Sequence, residues 1–126
     1  MTSLHTALYD FWGSFGLPVW HIDTVDDGAS LPYFTFDAVK GDTLAATILT
    51  ATAWFRDEGQ GVNAQRAELM DRISRAIPPH GVKVQAGDGY LMIYRNSASF
   101  LSYVSDPEDK RILGARVRVE VHFYLT

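Results

Sequence analysis

The sequence predicts an α+β fold, with about five strands in a mostly antiparallel or mixed sheet and two main helices packed on one face. Its 126 residues match the usual size of one domain, so residues 1–126 are expected to form a single unit. Two segments repeat apolar residues at helical spacing, and other apolar segments alternate with the period of a strand. This mixture of elements favours a sheet covered by helices on one face.

The two helical segments are bounded by residues that begin and end helices. Thr2 or Ser3 would cap the first helix, and Gly13 or Gly16, followed by Pro18, would end it. Asn63 would cap the second helix, which ends before Pro78-Pro79. The helical stripes are Leu4, Leu8, Phe11, Trp12 and Phe15 in the first helix, and Arg66, Leu69, Met70, Ile73 and Ile77 in the second.

Five stretches carry strand patterns. They cover residues 33–36, 46–55, 82–85, 90–95 and 115–125. The third and fourth flank Asp88-Gly89, a dipeptide that favours the tip of a β-hairpin. The last stretch alternates apolar and polar residues so regularly that we expect a half-buried strand of about 11 residues at the centre of the sheet. The segment 96–111 that precedes it is expected to be a loop.

The net charge of −4 is unevenly distributed along the chain. Residues 1–63 carry 8 acidic and 2 basic residues, a net charge of −6, whereas residues 64–126 carry 7 acidic and 9 basic residues, a net charge of +2. An acidic chain is a poor general binder of nucleic acid, because phosphate contacts need a basic surface. Opposite charge on two faces of one subunit would suit a head-to-tail contact between copies.

Motifs for catalysis, metals and cofactors are weak or absent. The chain has no cysteine, and its four histidines lack the spacing of a helical metal pair. Asp23, Asp26 and Asp27 resemble part of a calcium loop, but Phe34 stands where a bidentate glutamate is required. The glycines of Gly59-Gln60-Gly61 only partly match a dinucleotide-binding turn. We therefore expect no enzyme, no catalytic residue, no metal and no cofactor; a small nucleotide-binding protein is a distant alternative.

No apolar run is long enough for a transmembrane helix, and no basic residue precedes Asp10, so neither a membrane span nor a signal peptide is expected. The aromatic residues are a stronger signal. Several lie on strands whose two faces are both partly apolar, such as Trp54 beside Phe55 and Tyr124 beside Phe123. One face would form the core, and we expect part of the other to be buried between subunits.

Taken in order, several short segments resemble the tail-terminator or tail-completion proteins of long-tailed bacteriophages, a group that includes minor tail and minor capsid proteins. The resemblance runs from Leu4 to the end of the chain. Its segments are Leu8-Tyr9-Asp10-Phe11, Leu31-Pro32-Tyr33-Phe34-Thr35-Phe36, Thr52-Ala53-Trp54-Phe55-Arg56, Gly87-Asp88-Gly89-Tyr90-Leu91-Met92-Ile93 and Ser105-Asp106-Pro107 leading to Phe123-Tyr124-Leu125-Thr126. The sequence departs from the pattern at Ser99, where a proline is expected before Phe100.

The resemblance implies a structural virion protein. Copies would form a ring at the head-proximal end of the tail tube, and the ring is expected to be a hexamer. If the free chain is monomeric, the ring would close only on the tube. The ring would end tube growth and present a surface to the head-completion or connector protein, while DNA passes through its lumen without specific binding. Before assembly the chain would be in the host cytoplasm. A head-completion or connector adaptor of the phage neck is the alternative.

Two surfaces are predicted to meet a neighbouring subunit or the tube. The first is the polar face of the last strand, with Arg116, Arg118 and Glu120. The second is the loop 96–111. Its predicted contact residues are Phe100, Tyr103, Asp106 and Arg111.

Overall fold

The computed structural model describes residues 4–22, 24–26, 28–37, 47–57, 61–87 and 89–125. Within these ranges the chain forms two helices and seven strands. In chain order they are α1 (Leu4–Gly13), β1 (Val19–His21), β2 (Tyr33–Phe36), β3 (Thr47–Arg56), α2 (Val62–Ala76), β4 (Val82–Ala86), β5 (Gly89–Arg95), β6 (Leu101–Ser105) and β7 (Ile112–Leu125). Neither described helix is long and apolar enough to cross a membrane.

The predicted fold class is wrong. Strands take up 45% of the described residues and form one curled, mixed sheet shaped like half of a barrel, in place of a five-stranded antiparallel sheet with two main helices. Strands β1 and β6 lie outside the predicted set, and β1 makes the sheet mixed because it runs parallel to β2. With three and five residues, these strands are too short to show a clear period in the sequence.

Strand β7 is the centre of the sheet, as its alternating pattern predicted. It is 14 residues long and begins at Ile112, three residues before the predicted start. Its residues 112–121 pair with β3 on one side, while the other side pairs first with β6 and then with β5. The spatial order of the remaining strands is β1-β2-β3-β7-β5-β4.

Strands β5 and β6 pair with successive parts of the same edge of β7, and the short segment that connects them bulges away from it. The N–H of Asn96 donates to the carbonyl of Arg118, and the N–H of Arg118 donates to the carbonyl of Phe100. The chain therefore leaves β7 only between these two bonds. The expectation of a loop over 96–111 is wrong for its middle part, which forms β6.

The core lies on one face of the sheet, and both helices pack there. Leu49, Ala51, Ala53 and Phe55 of β3 are buried on this face, as their alternation predicted. Helix α1 adds Leu8 and Trp12, whose indole lies 5.9 Å from the ring of Phe34. The stripe of α2 from Arg66 to Ile77 is also buried, so the helical periodicity identified the correct face.

The predicted cap of α2 is wrong. The helix begins at Val62, and Gly61 occupies the cap position with a φ of 88°. The Asn63 side chain lies inside the first turn and accepts a hydrogen bond of 2.6 Å from Nη2 of Arg66. Residues 58–60, which include most of the glycine motif, lie outside the described residues, as do Thr2, Ser3 and Asp88.

Gly81 should be among the least replaceable residues of the fold. Its φ is +87°, and a Cβ there would lie 2.6 Å from the ring of Tyr94. We expect Gly81→Ala to lower the free energy of unfolding by about 2–4 kcal/mol. An alanine there would be strained in the left-handed backbone conformation and would also clash with Tyr94, and the two costs add. Gly16→Ala is the matched control: its φ is +91° with no atom within 4 Å of a Cβ, so about 1 kcal/mol is expected. Equal losses in urea denaturation would contradict the steric argument.

Candidate interaction surface

One face of the sheet is free of the two helices; we call it the open face. Alternation along each strand places its residues opposite the core, and the strand register brings them together. No helix or strand among the described residues packs on it. The open face includes Thr35, Ile48, Thr50, Thr52, Trp54, Tyr90, Met92, Tyr94, Arg116, Arg118, Glu120, His122 and Tyr124.

Half of the open face is a row of rings across β5 and β7. Tyr90 and Tyr124 stack with their centroids 5.1 Å apart, and His122 lies parallel to Tyr124 at 6.3 Å. Tyr94 meets His122 edge-on at 5.4 Å. The ammonium of Lys83 lies 4.4 Å from the centre of the Tyr90 ring. The row thus offers aromatic surface and a cation to whatever covers this half of the face.

The other half of the open face is a groove of about 400 Å³ between β2, β3 and β7. Trp54 lies at one side, and its Nε1 donates to the hydroxyl of Thr35 at 3.4 Å. Gly114 makes room for the indole, because a Cβ there would lie 3.0 Å from Cε3 of Trp54 and 2.8 Å from Val104. Arg116 and Arg118 line the groove opposite the threonines of β3.

The three predicted residues of the last strand all lie on the open face. Arg118 is exposed, and Arg116 and Glu120 are half-buried. Glu120 contacts His122, with 3.1 Å between Oε2 and Nε2. Their position on one face was predictable from alternation alone. Their role in binding a neighbour stays a prediction.

Phe100 and Tyr103, which were predicted to meet a partner, contact arginines of their own chain. The guanidinium of Arg95 lies 4.8 Å from the Phe100 ring, and that of Arg66 lies 4.5 Å from the Tyr103 ring. Arg95 also donates to the carbonyls of Ile77 (2.6 Å) and Ser74 (2.8 Å) at the end of α2. The 100–103 segment thereby helps to hold α2 on the sheet, although Tyr103 remains 56% exposed.

Arg66 holds the N-terminal part of α2 against strand β7. It is buried among apolar residues, and its Nη1 donates to the carbonyl of Gly114 at 3.3 Å. The helical spacing identified Arg66 as core-facing but gave no sign of its partners. The Gly114 carbonyl lies 48 residues away in sequence, beyond the reach of local patterns.

Asp106 and Arg111 belong to the turn between β6 and β7. The Asp106 carboxylate accepts from the N–H groups of Glu108 (2.8 Å) and Asp109 (3.3 Å), so it orders its own turn. The N–H of Arg111 donates to the Asp109 carboxylate and lowers the pKa of that exposed acid, with the Arg111 and Arg56 cations acting in the same direction. The Arg111 side chain is 73% exposed, and its Nε lies 3.5 Å from Oδ1 of Asp109, so its contact with a partner stays a prediction.

Within the described ranges, no three histidine, aspartate or glutamate side chains gather into a metal site. Asp23 and Asp27 of the calcium-like loop lie outside those ranges. Comparisons with protein-family models, curated proteins and solved structures find no match to this chain. The arrangement of the open face is therefore the observation from which function has to be argued.

Arg95→Ala should destabilise the fold even though Arg95 is polar and only half-buried. Two carbonyls at the end of α2 lose their donor, and Phe100 loses the cation above it. We expect a loss of about 2–3 kcal/mol in the free energy of unfolding. Arg72→Ala, at an exposed position of the same helix, is the control and should change it by less than about 0.5 kcal/mol. Similar losses in the two variants would show that Arg95 does not hold the helix.

Proposed function

We propose that this chain is a structural virion protein: a phage tail terminator or tail-completion protein that forms a ring at the head-proximal end of the tail tube. The ring ends tube growth and presents the surface that joins the tail to the head. Before assembly the chain is in the host cytoplasm. The observation that carries this proposal is the open face, a broad and ordered surface that no described element of the chain covers.

The chemistry of the open face supports contact with protein. Ile48 is 60% exposed and Tyr124 is 40% exposed, and the Tyr124 ring stacks on that of Tyr90. Aromatic residues and arginine are enriched at interfaces, because they combine large contact area with hydrogen bonding. A mostly antiparallel sheet commonly leaves one face in water, so the exposed aromatic and apolar side chains on this face are what favour a covering partner.

Ring formation needs two different surfaces on each subunit that fit each other. The open face and the exposed side of helix α1 supply two such surfaces with different composition. Helix α1 exposes Asp10 and Tyr9 on the helix-bearing side, whereas the open face carries Arg116 and Arg118.

The resemblance to tail terminators adds the place of assembly. An acidic chain suits a ring whose lumen passes DNA, since weak attraction to phosphate leaves the DNA free to move. Such a role needs the chain's shape and contacts, with no substrate and no cofactor.

Ile48→Glu combined with Tyr124→Glu should weaken self-association by at least about tenfold. Both side chains are exposed in the single chain. Charges placed there should therefore destabilise the interface between copies much more than the folded chain. The matched control is Gln65→Glu with Ala67→Glu, two exposed positions on α2. Sedimentation velocity over a range of concentrations gives the association constants. A doubly substituted open face that associates like the control would exclude this face from the interface.

The function itself is tested by electron microscopy of the purified chain, alone and mixed with tail tubes assembled from the tube protein of the same phage genome. Rings at one end of the tubes, with tubes no longer extending, are expected. Rings that bind tailless heads and leave the tubes bare would indicate a neck adaptor instead. A chain that remains monomeric and unbound in both mixtures would contradict the proposal.

A further inference from the structure

We propose that the groove around Arg116 binds a side-chain carboxylate of a second copy of this chain. The inference rests on the proposed function in requiring self-assembly, and it adds the group that the interface recognises. Arg116 provides the guanidinium that pairs with the carboxylate, and Arg118 adds a second positive charge at the mouth of the groove.

One donor of the Arg116 side chain has no partner among the described residues. Its Nε is buried and has no hydrogen-bond acceptor within the described residues, and no ion pair forms there between Arg116 or Arg118 and an acid. A buried donor without an acceptor is unfavourable, and one belonging to a charged group more so. A carboxylate oxygen from a partner could accept a hydrogen bond from this Nε–H and so remove the unfavourable free energy of the unpaired donor.

The surroundings of Arg116 favour an anion. The two arginines face the hydroxyls of Thr50 and Thr52 across the groove, and Trp54 closes one side. The acid that lines the groove is Asp37, and its Oδ2 already accepts from the N–H of Thr50 at 3.3 Å. Glu120, the next residue along this face of β7, contacts His122. The groove therefore keeps an excess of positive charge.

Charge complementarity identifies the second copy as the source of the carboxylate. Residues 1–63 of each chain carry a net charge of −6, so every copy offers acids to its neighbour's arginines. A carboxylate fits a guanidinium through two parallel hydrogen bonds, which fixes geometry as well as adding affinity. A polyphosphate is the poorer match, because the chain as a whole is negatively charged and repels a highly charged anion.

The test places an amine where the guanidinium stands. The variant Arg116→Lys keeps the charge, and a carbodiimide couples a lysine amine to a carboxylate that touches it. Chains of normal and heavy isotopic composition are mixed, allowed to assemble and cross-linked, and the linked peptides are identified by mass spectrometry. Arg72→Lys, on the exposed side of α2, is the control for random encounter.

The expected product is a link from position 116 of one chain to an aspartate or glutamate of a chain with the other label, in excess over the control. In parallel, Arg116→Gln should raise the dissociation constant of self-association by about tenfold or more, while Arg72→Gln leaves it unchanged.

Three results would overturn the inference while leaving the proposed function intact. The first is ring formation without a link from position 116, and the second is a link only to Asp37 of the same chain. The third is binding of a DNA duplex to the wild-type chain but not to the Arg116→Gln variant, because the groove would then bind phosphate. A chain that never assembles would overturn the proposed function, and this inference with it.

Discussion

The pairing of strand β7 on both of its sides is the constraint on which the rest of the structure depends. Because β7 runs through the whole sheet, every residue along it is assigned to one of two faces by alternation. Val117, Val119 and Val121 build the core, and the residues between them build the open face. A shift of one residue in this register would exchange the two faces, so core and surface are specified together.

The two faces are stabilised in different ways. The core face is closed by two helices, and α2 is held at both ends by arginines that stack on Phe100 and Tyr103. The open face has no such cover among the described residues. Its side chains contact one another instead: Tyr90 stacks on Tyr124, and Trp54 lies over Gly114. These contacts order the face before any partner arrives, and a pre-ordered surface loses less entropy on binding.

Local sequence patterns predicted the elements better than their assembly. The alternation of residues 115–125 identified the central strand, and Asp88-Gly89 identified the hairpin of β4 and β5. The short strands β1 and β6 carry too few residues to show a period in the sequence. The predicted number of strands was therefore wrong, and the sequence did not indicate that the sheet is curled. Alternation also placed Arg116, Arg118 and Glu120 on one face. It could not reveal that Arg95 reaches Ile77, because such a contact depends on tertiary packing.

Burial of the open face between copies is the claim that connects these observations, and hydroxyl-radical footprinting measures it most directly. The chain is labelled as dilute monomer and as assembled ring, and the oxidation of individual side chains is quantified by mass spectrometry. The account predicts that Trp54, Tyr90 and Tyr124 lose most of their reactivity on assembly. Unchanged reactivity of these three residues in the ring would contradict it.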